Sequence, residues 1–217
     1  FFIQDSLIYI EENFFSSLGF FKEVKIMIKH YSISQEGIKK SDSSGNWLIL
    51  HGATKEEQDQ VVKEYDLPED IFLGATEAEE VARFEPLYET KLKNVFLLII
   101  LNLEKYEDKI ENRLEPVLFI ISDELIITNL AERSTFIERF IKRFGEKVRN
   151  FDELVAYSIF KVYTHYTKEL QEIKVVIDEL DESARKTTKT QELVRLADTQ
   201  RAVVYLDHTL KGQKKVL

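Results

Sequence analysis

Two apolar runs most constrain what this chain can fold into. In "NVFLLIILNLE" (Asn94–Glu104) and "EPVLFIIS" (Glu115–Ser122), large apolar side chains occupy successive positions instead of alternating. Successive side chains on a strand point to opposite faces. A strand that is apolar on both faces must therefore be covered on both faces, most simply by helices. The longest uninterrupted run, Val95–Leu101, is far below the roughly 20 residues a membrane-spanning helix needs. The expectation is a three-layer α/β/α domain of the α+β type with a mixed sheet.

The rest of the N-terminal part supplies the sheet's other elements. "MIKHYSISQEGIKK" reads as two short strands around a turn at Gly37, and "NWLILH" (Asn46–His51) as a third. Thr54 with Glu57 three residues later is a capping box, and it predicts a helix over Lys55–Tyr65. Pro68 in "LPEDIFLGA" predicts a short helix. "ARFEPLYE" (Ala82–Glu89) predicts an edge strand, because Pro86 cannot donate to a ladder on both sides. "EPVLFIIS" and "ELIITNL" flank Ser122–Asp123 as a hairpin.

After Glu132 the pattern changes from strand to helix. "STFIERFIKRFG" predicts a helix capped by Ser134 and ended at Gly145. A long helix over Phe151–Lys186 carries Leu154, Val155, Ser158, Ile159, Val162, Tyr166, Leu170, Ile173, Ile177 and Leu180 at three- and four-residue spacing. A second long helix starts near Gln191. Along it Leu196, Val203, Leu210 and Leu217 recur every seven residues, with Leu193 and Leu206 beside them. Such a seam suits a coiled-coil-like stalk, and it also suits a helical hairpin packing on itself. The domain organisation is residues 1–26 as an N-terminal extension, native or added; 27–150 as the α/β/α domain, opening at the only methionine, Met27; and 151–217 as the hairpin with the first part of a stalk helix. Residues 1–26 also fit a native amphipathic helix.

Composition excludes several functions. The net charge of −9 leaves no basic face to displace counterions from nucleic acid. With no cysteine there is no disulfide framework, thiolate metal site or thiol nucleophile. His30, His51, His165 and His208 lie too far apart for a helical zinc pair. No nucleophile elbow or phosphate-cradling loop is present, and no carboxylate pair stands out, so no enzyme is expected. Two acidic clusters remain: Glu77, Glu79 and Glu80 in "TEAEE", and Asp178, Glu179, Asp181 and Glu182 in "IDELDE". Hard divalent cations prefer such oxygen ligands, although solvated helix faces look the same.

Taken in order, several stretches resemble the cytoplasmic N-terminal domain of CorA-type magnesium transporters. "NWLILHGATKEEQDQVVKEYDLPEDIF" resembles that family's tryptophan-led strand, helix and turn; "EVARFEPL" resembles a following strand, with Ala82 where Pro is common; "EPVLFIISDELIITNL" resembles its paired strands. "VVIDELDE" and "LVRLADTQRAVVYLDHTLKGQKKVL" resemble the tip of its helical hairpin and the start of its stalk helix. The resemblance implies a divalent-cation-sensing domain on the cytoplasmic face of the cell membrane. In it the helix from Gln191 continues beyond Leu217 into the first of two transmembrane helices, followed by a Gly-Met-Asn pore signature. It implies a homopentamer whose stalk seam includes Leu196, Val203, Leu210 and Leu217, with residues 1–217 alone a monomer or weak oligomer. The ion would be Mg2+, or Co2+, Ni2+ or Zn2+ in related members, because selectivity lies in the pore. A soluble helical-hairpin interaction protein is the competing reading. The family's acidic ligand on the helix after Pro68 aligns with Gly74, which has no side chain to coordinate. Glu77, Glu79 and Glu80 are then the nearest metal-site candidates. Asp178, Glu179, Asp181 and Glu182 match an acidic tip that acts by electrostatic gating.

Overall fold

The computed structural model describes residues 28–42, 44–73, 82–105, 109–184 and 190–216. Seven strands form one sheet: β1 (Ile28–Ser34), β2 (Gly37–Ser41), β3 (Trp47–His51), β4 (Arg83–Leu87), β5 (Val95–Leu103), β6 (Leu114–Ile121) and β7 (Ile126–Leu130). Their spatial order is β2-β1-β3-β7-β6-β5-β4. All neighbouring pairs are antiparallel except β3 and β7, which run parallel with Trp47 opposite Ile126. Among the described residues, four α-helices pack on the sheet: α1 (Lys55–Tyr65), α2 (Phe136–Phe144), α3 (Phe151–Ala184) and α4 (Thr190–Val216).

The non-alternating apolar runs divide between two cores. Leu98, Ile100, Val117 and Phe119 face one way, with Trp47, Ile49 and Ile126, onto Phe136, Phe140 and the α3–α4 hairpin. Leu97, Ile99, Leu118 and Ile120 face the other way, with Leu48, Leu50 and Ile127, onto Val61 and Val62 of α1. Every one of these side chains is under 10% exposed, so both faces of the central strands are dry. The expected three layers and mixed sheet are what the chain forms.

α1 spans the expected residues, and its capping box is complete: Glu57 N donates to Thr54 Oγ1 and Thr54 N donates to Glu57 Oε2 at 2.8 Å. β4 is an edge strand, as Pro86 requires. Two expectations shift. The segment after Pro68 is a turn with three-residue bonds, Ile71 N to Pro68 O and Leu73 N to Asp70 O, not an α-helix over its described residues. Leu67, Ile71 and Phe72 all press into the α1-side core. The cap of α2 falls at Thr135, one residue after Ser134. The Ser134 hydroxyl still accepts from Phe136 N at 3.3 Å.

α3 starts on a two-sided cap. Glu153 N donates to Asn150 Oδ1 and Arg149 N donates to Glu153 Oε2, both at 2.8 Å. Its buried stripe runs through Leu154, Ser158, Val162, Tyr166, Ile173 and Leu180. α4 returns antiparallel along it and buries Leu206, Thr209 and Gln213.

Candidate functional site

The α3–α4 hairpin is exposed toward one end and packed against the sheet toward the other. At its outer end Asp178, Glu179, Asp181 and Glu182 are all exposed. Glu179 crosses to α4 and pairs with Arg195 at 2.7 Å. Ser183 bonds Glu192 across the same gap. The acids thus share one end of the hairpin, where like charges close together raise local cation affinity. The other acidic candidates, Glu77, Glu79 and Glu80, lie outside the described residues, as does Gly74. No group of three or more His, Asp or Glu among the described residues is placed to hold a metal.

The seven-residue series on α4 does not share one environment. Leu196 and Val203 are exposed, Leu210 packs against the core, and Leu217 lies outside the described residues. Leu193, Val194, Val204 and Tyr205 are exposed as well, so the outer half of α4 is an uncovered apolar surface. The inner half is fixed by Leu206, fully buried one turn from Leu210.

The root is polar, and most of it was not singled out by sequence pattern. Leu101 of β5 lies opposite Pro116, which has no N–H, and the described part of β4 pairs with β5 up to Ile99. The hairpin completes the edge instead: Leu101 N donates to Gln213 Oε1 at 3.2 Å and Tyr166 Oη donates to Leu101 O at 2.9 Å. Burial pushes the Tyr166 phenol up, so it stays a donor. One turn on, Arg113 makes a two-armed ion pair with Glu169, the Nη1–Oε1 arm at 2.9 Å. Its Nε also donates to Glu104 O at 2.8 Å.

Glu104 is the hub of this root. Its buried carboxylate accepts from Asn102 Nδ2 (3.0 Å), Ser134 Oγ (3.3 Å), Thr135 N (3.2 Å) and Thr135 Oγ1 (3.0 Å). It therefore sits at the N-terminus of α2, where orphan N–H groups and the helix dipole favour an anion. Asn102 spends its Nδ2 on Glu104, so its Oδ1 faces His165 as an acceptor, at 2.8 Å from Nδ1. Nδ1 must then carry the proton, and Nε2 offers its lone pair to Lys161 Nζ at 3.3 Å. Lys161 is only 4% exposed and lies against the Phe136 ring. Burial lowers its pKa to about 8, with Glu104 opposing and Arg139 and Arg143 adding to the shift. Burial, then the Lys161 charge, lowers His165 to about 4, so the imidazole is neutral at pH 7. The sequence did carry one signal of this centre: Asn102 interrupts the apolar run "LLIILNL".

No described helix is long and apolar enough to cross a membrane. A family model for "CorA-like Mg2+ transporter protein" matches residues 42–217. No curated protein matches the chain. Among solved structures, the soluble domain of CorA from Methanocaldococcus jannaschii superposes with a TM-score of 0.71 at 17% identity, over 88% of this chain and 78% of that one. The complete CorA magnesium transporter of the same organism gives 0.69 at 14% identity, over 89% of this chain but only 62% of its own length. The ZntB cytoplasmic domain from Vibrio parahaemolyticus RIMD 2210633 gives 0.66 at 14% identity, over 87% and 76%. At these identities the superpositions show a common fold.

Proposed function

The chain belongs to the CorA-like Mg2+ transporter family, and from that premise we propose that it is the divalent-cation-sensing cytosolic part of a magnesium transporter or channel. The observation that carries this reading is the family match through residue 217, which takes in the hairpin with its acidic end. In this reading the pore is built from sequence outside these residues, and catalysis is no part of the role. Domains 27–150 and 151–217 act as sensor body and lever, with residues 1–26 an extension.

The mechanism is linkage. A cation that binds the closed assembly better than the open one stabilises it, and its departure releases it. Glu77, Glu79 and Glu80 are proposed as ligands, because Gly74 offers none. Asp178, Glu179, Asp181 and Glu182 are proposed to act by field alone: in the absence of cation their mutual repulsion drives hairpin ends apart. Self-association into a homopentamer, through the apolar outer half of α4 and the membrane part, places these ends around one axis. The ZntB domain's similar fold supports a second reading in which the ion is Zn2+; Co2+ and Ni2+ are the remaining candidates.

The test is thermal unfolding of the 217-residue chain with Mg2+, Co2+, Ni2+ or Zn2+ against a K+ control of equal ionic strength. At about ten times Kd a native-state ligand adds about 1.4 kcal/mol, which raises Tm by roughly 3–6 °C for a chain of this size. The half-effect concentrations rank the ions this part senses, while the cargo is set by the pore. The Glu77→Ala/Glu79→Ala/Glu80→Ala variant is expected to lose the shift. An unchanged shift in that variant removes the three ligands, and no shift with any divalent ion removes the sensing role.

A further inference from the structure

We propose that Lys161, His165 and Asn102 form an acid-released clasp between α3 and the end of β5, opened when His165 takes a second proton. Three observations carry this. First, the clasp is a single line of directional bonds. Lys161 Nζ donates to His165 Nε2, His165 Nδ1 donates to Asn102 Oδ1, and Asn102 Nδ2 donates to Glu104, which holds the start of α2. Each donor has one acceptor, so the neutral Nδ1–H tautomer of His165 is the only form that completes the line.

Second, protonating Nε2 breaks the line at one point. A proton there removes the lone pair that Lys161 uses and sets two cations 3.3 Å apart. The neighbours do not soften this. From α3 comes Lys161; from α2 come Arg139 and Arg143; from the end of β5 comes Lys105, and all four disfavour the imidazolium. α4 presents the neutral Gln213 to the adjoining Tyr166. The nearest carboxylates are already engaged: Glu104 by Asn102, Ser134 and Thr135, Glu169 by Arg113, and Glu172 by Lys105.

Third, the clasp lies where loosening has a consequence. Leu101 and Asn102 lie in the last three residues of β5 and Glu104 is the first residue past it, and through Tyr166, Gln213 and His165 the first two bond to the hairpin. Opening at His165 therefore removes one of the hairpin's ties to β5, loosening the root beside the bonds of Tyr166 and Gln213, and leaves the sheet's own ladder intact.

The sign of the pH effect follows from linkage. His165 has a pKa of about 4 when clasped and about 6.5 when free in water. The open form binds more protons between those values, so acidification across that window favours opening, by up to about tenfold per pH unit. Lys161 titrates at about 8 when clasped and about 10.4 when free. Between those values the open form again holds more protons, so the clasp tightens as pH rises through the window. From roughly pH 6.5 to 8 neither group changes its preference, and opening is flat. This inference stands on the root geometry and does not depend on the chain's sensing cations.

The experiment is amide hydrogen exchange of the 217-residue chain, corrected for intrinsic rates, read in peptides covering residues 98–104 and 158–168 between pH 4 and 9. The expected result is a flat opening constant near neutrality that climbs below pH 6.5. His165→Gln is expected to flatten the acid limb and leave the alkaline limb in place; Lys161→Met is expected to remove the alkaline limb. An acid limb of the same slope in His165→Gln overturns the proposal. Should that variant not fold, 15N NMR of the wild-type imidazoles decides: His165 is expected as the Nδ1–H tautomer, neutral at pH 5.5. An imidazole that titrates near 6.5 overturns the clasp.

Discussion

Leu101 shows how a single backbone position can tie two layers together. Its N–H and C=O are taken by side chains from the hairpin, Gln213 and Tyr166. Buried backbone groups left unpaired are expensive, so both side chains matter beyond their packing. Tyr166→Phe keeps the ring and deletes only the hydroxyl. Chemical denaturation is expected to show a loss of about 1–2 kcal/mol, the cost of leaving a buried carbonyl unsatisfied. A loss below a few tenths would mean that water reaches Leu101 O and that the root is looser than its geometry. None of this was legible beforehand. Tyr166 reads as one more apolar body in the α3 stripe, and Lys161 stands beside Val162 outside that stripe. A helical stripe records which way a side chain points; it does not record that another element has brought an acceptor to meet it. Gly45 makes the same point. Glycine among small polar residues in "SDSSGNW" is a common turn signal, yet a Cβ there would lie 2.1 Å from Tyr31 O. The requirement comes from close approach of β1, not from the turn.

At the scale of elements, the hairpin's attachment includes one half-hidden ion pair. Arg113 and Glu169 retain 13% and 9% side-chain exposure. Removing one partner of a buried pair strands the other charge, which costs roughly 3–5 kcal/mol, whereas replacing both by apolar residues is often close to neutral. Glu169→Ala is therefore expected to lower the unfolding free energy by roughly 3 kcal/mol. Arg113→Met with Glu169→Leu is expected to recover most of that loss. Equal losses in the single and double variants would show that the pair's geometry, and not the stranded charge, holds the root. Pattern served well for the elements themselves. The central strands, α1 with its capping box and the β6–β7 hairpin were all readable, because each carries a local signal: two-faced hydrophobicity, reciprocal caps or a tight polar turn. The segment after Pro68 makes three-residue bonds over its described residues, Ile71 N to Pro68 O and Leu73 N to Asp70 O, and proline at such a start is a permissive signal that does not choose between helix types. The acceptor that starts α2 was also invisible, since Glu104 comes from thirty-one residues earlier in the chain.

At the scale of the whole molecule, two features oppose each other. The chain carries a net charge of −9, which drives copies apart, and it leaves Leu193, Val194, Leu196, Val203, Val204 and Tyr205 uncovered on one half of one helix. Uncovered apolar surface of this kind favours contact with another surface. Long-range repulsion is screened within about 8 Å at physiological salt, while apolar contact is not. Association of the isolated chain should therefore be weak at low salt and strengthen as salt or divalent cation is added. Sedimentation velocity over a concentration series is the measurement. Leu196→Glu with Val203→Glu places charge on that half of α4 without touching a buried position, so its unfolding free energy should stay within about 0.5 kcal/mol of wild type. Its association constant is expected to fall at least tenfold, equivalent to about 1.4 kcal/mol or more of contact. If the variant associates as the wild type does, copies meet elsewhere, and the exposed half of α4 is left for a different partner. If it does not, the same helix that closes the edge of β5 at its inner end carries the contact between copies at its outer end. Loosening the root would then change the position of that contact surface relative to the sheet.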